Sequence, residues 1–251
     1  MFGRGFGVAV LLLGILGSTA TASSQQDLTS AAKHHKVAFI LVTDQGTPGV
    51  DQARDVIRQA VKRVPKSTSV ELIRTDPANA QLVQKLGVAG APVPVILVAA
   101  RNGAIAGGLV AAQATPEALV GVVPSPKKAD VLLALEDGKS VFIAASRQEM
   151  SSQDGTLATC AAACNQMSDK CVMVQIDMAD PAETAFLTQL KVNTAATEPV
   201  TVVVNPQGQV TATYKGATDV SNLVQAATRK AGGCCPSTVQ SGSKACAPAK
   251  K

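Results

Sequence analysis

A chain of 251 residues is long for one small domain and comfortable for two of about 100 residues each. Its 46 % of hydrophobic residues include only 2 % aromatics and no Trp, so the core must come from Ala, Val, Leu and Ile, and the aromatic platforms that stack nucleic-acid bases are missing. The net charge of +5 is modest and spread along the chain, which supports no phosphate-binding surface and leaves nucleic acid outside the expected partners.

At the N-terminus Arg4 supplies a positive start, residues 6–17 form an apolar run, and Ala20-Thr21-Ala22 offers a small-x-small cleavage site. The pattern predicts a secretory signal over residues 1–22, cleaved after Ala22, because an uncleaved anchor needs about 20 apolar residues. No later segment is apolar for long enough to span a membrane. The mature protein is therefore expected to be exported, periplasmic or extracellular, and the six cysteines fit a compartment where disulfides persist.

Residues 23–35 read as a polar leader, ending in the pair His34-His35, and a first domain is expected over 36–123. It opens with a short apolar run at 37–42 (VAFILV), read as a buried strand, and a turn-rich loop at 43–49 (TDQGTPG). Apolar residues at Val56, Ile57, Ala60, Val61 and Val64 then follow helical spacing until Pro65 stops the helix. A strand over 69–73 comes next, followed by a short amphipathic helix, a small-residue loop, and a strand from Val95. The turn Arg101-Asn102-Gly103 leads to a strand over 104–110, and Thr115-Pro116 opens a last helix with a cap and an N1 proline. Prolines at 124 and 126 mark a joint, and 124–139 is read as a linker with a short helix over 129–136. The second domain, 140–230, is expected to repeat the order, with strands at 141–145 and 171–176 and a helix over 156–168; a cysteine-bearing tail covers 231–251.

The repetition is visible in the letters. Residues 76–103 (DPANAQLVQKLGVAGAPVPVILVAARNG) have a counterpart in 180–208 (DPAETAFLTQLKVNTAATEPVTVVVNPQG). A shift of 104 residues lays Val37 on Val141, Asp76 on Asp180 and Val88 on Val192, and one extra residue before the second proline matches Pro94 with Pro199 and Gly103 with Gly208. Two copies of one fold are implied.

The order strand, helix, strand, helix, loop-proline-strand, hairpin strand, helix resembles the thioredoxin fold. Leu86-Gly87-Val88, Pro94, 95–98 (VILV) and Asn102-Gly103 resemble that family's approach to its cis-proline and edge hairpin; Leu190-Lys191-Val192, Pro199 and 205–208 (NPQG) resemble it more weakly. The resemblance implies an α/β fold class, two tandem thioredoxin-like domains each with a central mixed sheet between helices. It also implies cis bonds at Pro94 and Pro199, the alternative being ordinary trans prolines opening a strand. Family members that exchange disulfides place Cys-x-x-Cys just after the first strand, where the helix dipole lowers a thiol pKa. That place is held by Gly46-Thr47-Pro48-Gly49 and, under the same shift, by Met150-Ser151-Ser152-Gln153. No catalytic residue is carried over to either.

Under that shift Cys160 and Cys164 fall on Val56 and Ala60, core-facing positions, so they read as inward small residues or, with Cys171, as structural disulfide candidates; a three-thiolate soft-metal site is the sharper alternative. Cys234, Cys235 and Cys246 lie in a stretch too polar to form a core, so exposed thiols are expected there, as a redox or soft-metal arm or as a plain staple. Adjacent histidines on a strand face opposite ways, so His34 and His35 suggest no metal site. No cofactor is expected. The favoured function is a non-catalytic binding or scaffold module in the cell envelope that takes a protein or peptide partner at Pro94 and Pro199. The alternative is a thiol-disulfide oxidoreductase or soft-metal handler using the tail cysteines.

Overall fold

The computed structural model describes residues 24–229; the predicted signal and the tail cysteines lie outside them. The first unit runs α1 (Ser24–Lys33), β1 (Val37–Thr43), α2 (Val50–Arg63), β2 (Ser67–Ile73), α3 (Ala80–Lys85), β3 (Val95–Ala99), β4 (Ile105–Val110) and α4 (Pro116–Val122). The second runs α5 (Pro126–Glu136), β5 (Ser140–Ser146), α6 (Gln153–Met167), β6 (Cys171–Asp177), α7 (Thr184–Gln189), β7 (Val200–Val204), β8 (Val210–Lys215) and α8 (Val220–Ala227). The two sheets have the same order, β2-β1-β3-β4 and β6-β5-β7-β8. Within each, the first pair is parallel and the other two are antiparallel.

The central strands β1 and β5 are buried along their whole length, as an apolar run without alternation requires. In β1, Phe39 and Leu41 pack toward Ile57 and Ala60 of α2 and Leu119 of α4, while Ile40 and Val42 pack toward Ala31 of α1 and Leu82 of α3. In β5, Phe142 and Ala144 face Cys160 of α6 and Leu223 of α8, and Ile143 and Ala145 face Val131 of α5 and Leu187 of α7. The repeated Asp-Pro-Ala opens a 3-10 turn both times: Asp76 and Asp180 each accept a hydrogen bond from the backbone N–H two residues on, at 2.9 Å.

The structure corrects the expected overlay. Val37 lies opposite Ser67 and Ser140 lies opposite Cys171, so β1 and β5 superpose at a shift of 103. The inward faces of the following helices agree: Ala53, Ile57 and Ala60 correspond to Thr156, Cys160 and Ala163. The shift of 104 begins only at β2, after α6 has run one residue longer than α2, 15 against 14. A one-residue slip in a strand exchanges its two faces, so burial decides the register where letter matching does not.

The polar leader is the helix α1, anchored by buried Ala31 and by the Ser24 hydroxyl, which donates to the Glu71 carbonyl at 2.9 Å. The linker helix is its counterpart, α5. It begins at Pro126 rather than at 129, because a proline suits the first helical position. One side of α5 covers β5 and β6; the other meets the first unit, where Ala129 and Leu132 join Ala100 and Ala104 in a small apolar cluster. Asn102 Nδ2 donates to the Ala129 carbonyl at 2.8 Å, and the Ile105 N–H donates to Glu136 Oε1 at 2.5 Å.

The N-terminus of α5 is capped from within the second unit. Glu183, 1 % exposed, accepts from Ser125 Oγ at 2.6 Å and from the Lys127 N–H at 2.9 Å. Glu183→Ala strands both donors beside the domain junction and is expected to lower stability by about 2 kcal/mol. Urea denaturation checks this, with Glu183→Gln, which keeps an acceptor, losing less.

Candidate functional site

The pairing of Val42 with Val95 sets Pro94 beside Thr43, at the C-terminal end of β1; the pairing of Ala145 with Val200 sets Pro199 beside Ser146. Both prolines enter their strand alike, the Pro94 carbonyl accepting from the Ala111 N–H at 2.9 Å and the Pro199 carbonyl from the Gly216 N–H at 2.8 Å. The Val93–Pro94 bond is cis, as the resemblance implies. Pro199 corrects the expectation: its bond is trans. The loop from Val192 to Pro199 is one residue longer than that from Val88 to Pro94.

Arg74, the residue after β2, holds the loop ahead of Pro94 from behind. Its Nη1 donates to the carbonyls of Val88, Ala89 and Ala91 at 3.2, 3.0 and 2.8 Å, while Nε and Nη2 grip the two Asp44 oxygens at 3.0 and 2.5 Å. One guanidinium thus joins the loop after β1 to the loop before β3. In the second unit Met178, buried, takes the place of Arg74, and Arg147 takes the place of Asp44. Arg147 Nη2 donates to the Ala196 carbonyl at 2.6 Å. The same loop is held by the same chemistry from a different strand. Sequence reasoning misses both arginines because no repeated letter marks them.

A cavity of about 440 Å³ lies at the start of α2, lined by Thr43, Asp44 and the loop through Gly46, Thr47, Pro48 and Gly49, with Arg54 and Glu71 on its far wall. No cysteine or histidine lines it. Arg54 donates to Glu71 at 2.7 and 3.1 Å and to Asp51 at 2.8 Å, so its charge is spent within the wall. Pro94 is not among the lining residues; the structure places it at the neighbouring strand end rather than in this cavity. At the corrected shift the counterpart of residues 46–49 is Glu149-Met150-Ser151-Ser152, one residue earlier than expected, with Ser152 at the N-cap of α6 as Gly49 is at that of α2. Met150 is buried in the core.

A mixed four-stranded sheet with one parallel pair, helices on both faces, and a proline opening the third strand beside the end of the first occurs here twice. Residues 24–229 fold as two tandem thioredoxin-like domains. No protein-family model and no curated protein matches it. Among solved structures, the first two thioredoxin domains of Saccharomyces cerevisiae Eps1p match at 12 % identity over 91 % of this chain and 99 % of that one, with a TM-score of 0.33. The first two thioredoxin domains of Naumovozyma dairenensis Eps1p match at 11 % over 88 % and 100 %, TM-score 0.29. Human ERp44 in its zinc-bound form matches at 11 % over 80 % of this chain, which spans 55 % of ERp44, TM-score 0.34. The fold assignment rests on strand order and helix placement, not on these distant likenesses.

In domain 2 Cys164 and Cys171 form a disulfide with their Cα atoms 5.2 Å apart, joining the end of α6 to the start of β6. At the matching position in domain 1, the Ser67 hydroxyl donates to the Val64 and Val61 carbonyls at 2.7 and 3.1 Å and ties α2 to β2. The bridge therefore replaces a hydrogen-bonded staple. Cys160 is 0 % exposed, 3.7 Å from Thr201 Oγ1, and burial pushes its thiol pKa up. With two of the three sulfurs joined, the three-thiolate arrangement is not available in this state. Among the described residues no group of three or more His, Cys, Asp and Glu is placed to hold a metal, and His34 Nδ1 lies 2.8 Å from the Ser30 carbonyl of its own helix. Cys234, Cys235 and Cys246 lie outside the described residues.

Two measurements follow. Replacing Cys164 and Cys171 together by Ser opens a short loop and is expected to lower stability by about 2–3 kcal/mol in urea, with Cys160 unable to substitute for either. The Arg74 guanidinium beside Asp44 holds that carboxyl below its usual pKa. A folded-state pKa below the unfolded one stabilises fully above about pH 4, and the stabilisation is lost as pH falls through the folded value. The acid limb of the stability profile should therefore be shallower in Asp44→Asn than in the native protein.

Proposed function

We propose that the protein is an exported, non-catalytic binding module of the cell envelope. The segments ahead of Pro94 and Pro199, with the neighbouring sheet edges, receive an extended stretch of a partner protein. The observation that carries this reading is the loop before Pro94. Its backbone is pinned by Arg74, Ala89, Gly90 and Pro92 are exposed, and neither cysteine nor histidine lines the adjoining cavity. Strands β4 and β8 are sheet edges, whose outward backbone groups suit strand addition.

Export is supported by the signal-like pattern over residues 1–22 and by the Cys164–Cys171 bridge, a bond at home in oxidising compartments. No helix among the described residues is long and apolar enough to cross a membrane.

The test uses the full mature chain with two readouts. A reduced and alkylated unfolded polypeptide should bind with measurable anisotropy change, and Ala89→Arg should weaken that binding about tenfold or more at unchanged melting temperature. Insulin reduction should run no faster than the uncatalysed rate. Reduction that disappears with Cys234→Ser and Cys235→Ser together would instead establish the tail-thiol oxidoreductase.

A further inference from the structure

A second cavity, of about 590 Å³, lies on the other face of domain 1, under α1 and α3 and beside the C-terminal end of α5. Its apolar wall includes Leu28, Leu82, Leu86 and Ile105, with Leu133, 37 % exposed, at the rim. The internal repeat shows why it is hollow. Ala32, Ala38 and Ala99, all lining it, correspond to Leu135, Val141 and Val204 in domain 2. The correspondence is visible at the hairpin turn: a Cβ on Gly103 would meet Ala32 Cβ at 3.2 Å, and one on Gly208 would meet Leu135 Cδ1 at 3.7 Å. Domain 2 fills this place with its own side chains; domain 1 leaves it open.

The charges differ in the same way. Lys36 and Lys85 line the cavity, and neither has an ion-pair partner among the described residues. Their counterparts are engaged: Lys139 pairs with Asp137 at 3.1 Å, and Gln189 accepts from Lys128 Nζ at 2.9 Å. Of the two acids on the wall, Asp137 is paired with Lys139, and Glu136 accepts from the Ile105 N–H, which orients its carboxylate but leaves its charge, so the lining still carries one cation in excess.

An apolar hollow of ligand size with two lysines that make no ion pair, and a net excess of one positive charge, suits a molecule that is apolar along its length and anionic at one end. We propose that this groove is a binding site for a single long-chain carboxylate, its alkyl chain under α1 and its head group at Lys36 and Lys85. The site is separate from the loops around Pro94.

Isothermal titration of the full mature protein with decanoate, dodecanoate and tetradecanoate, each below its micellar concentration, tests this. Saturable one-to-one binding is expected, tightening about tenfold for each two methylenes. Lys36→Gln and Lys85→Gln should each weaken dodecanoate about fivefold. Ala32→Leu with Ala99→Val, which copies domain 2, should abolish binding, with the thermal melt reporting that the variant folds. Absence of saturable binding to the native protein overturns the proposal. So does equal affinity for dodecyltrimethylammonium, unchanged affinity in both lysine variants, or binding of an apolar peptide but not dodecanoate, which would assign the groove to a protein partner.

Discussion

The carbonyls of the loop ahead of each strand-opening proline belong to no sheet ladder, and in each domain an arginine donates to one or more of them. Arg74 does so at three carbonyls while its remaining nitrogens hold Asp44; Arg147 does so at Ala196. Without a donor behind it, a run of small residues such as Val88-Ala89-Gly90-Ala91 has little to fix its path. The guanidinium suits the task because it presents five donors in one rigid plane and reaches several acceptors at once. Everything proposed for the face around Pro94 depends on that loop keeping one shape.

The loops are positioned in turn by central strands that cannot move. With β1 and β5 buried on both faces, a shift of one residue would carry every side chain into the opposite core, so the ends of these strands are fixed points. The same constraint explains how much was legible beforehand. Apolar runs and helical spacing foretell β1, α2, β3 and their copies, and Thr115-Pro116 foretells a cap that the structure shows; the caps at Asp76 and Asp180 come from the structure. Letter matching places the register between copies one residue off, because Val37 and Val141 match at the wrong shift; the strand pairing and the buried sets Ala53, Ile57, Ala60 and Thr156, Cys160, Ala163 resolve it. Arg74 and Arg147 were illegible for a related reason: the interaction is kept while the residue supplying it changes strand.

The two copies have diverged where the chain needs them to differ. The contact between domains uses Ala100 and Ala104 against Ala129 and Leu132 of α5. In domain 2 the corresponding turn carries Asn205 and Gln209, and in α1 the corresponding outward positions are Gln26 and Thr29, so neither end offers the same apolar match. Val210, 52 % exposed, stands where Ile105 is met by Glu136. The junction is built for use once. Likewise a disulfide stands in domain 2 where domain 1 has Ser67, and a filled core stands in domain 2 where domain 1 has a cavity. The bridge staples a helix to a strand far from Pro199, which fits a structural rather than a catalytic part.

Native-state hydrogen exchange in the single variants Arg74→Ala and Arg147→Ala tests the role of the guanidinium groups most directly. Loss of Arg74 should speed exchange at the Val88 and Ala91 amides, which donate to the Val83 carbonyl of α3 and to the Val88 carbonyl, while β1 stays protected. Loss of Arg147 should do the same at Ala196 and leave β5 protected. Unchanged protection at Ala91 and Ala196 in the two variants would contradict the account, because the loops would then hold their shape without the arginines.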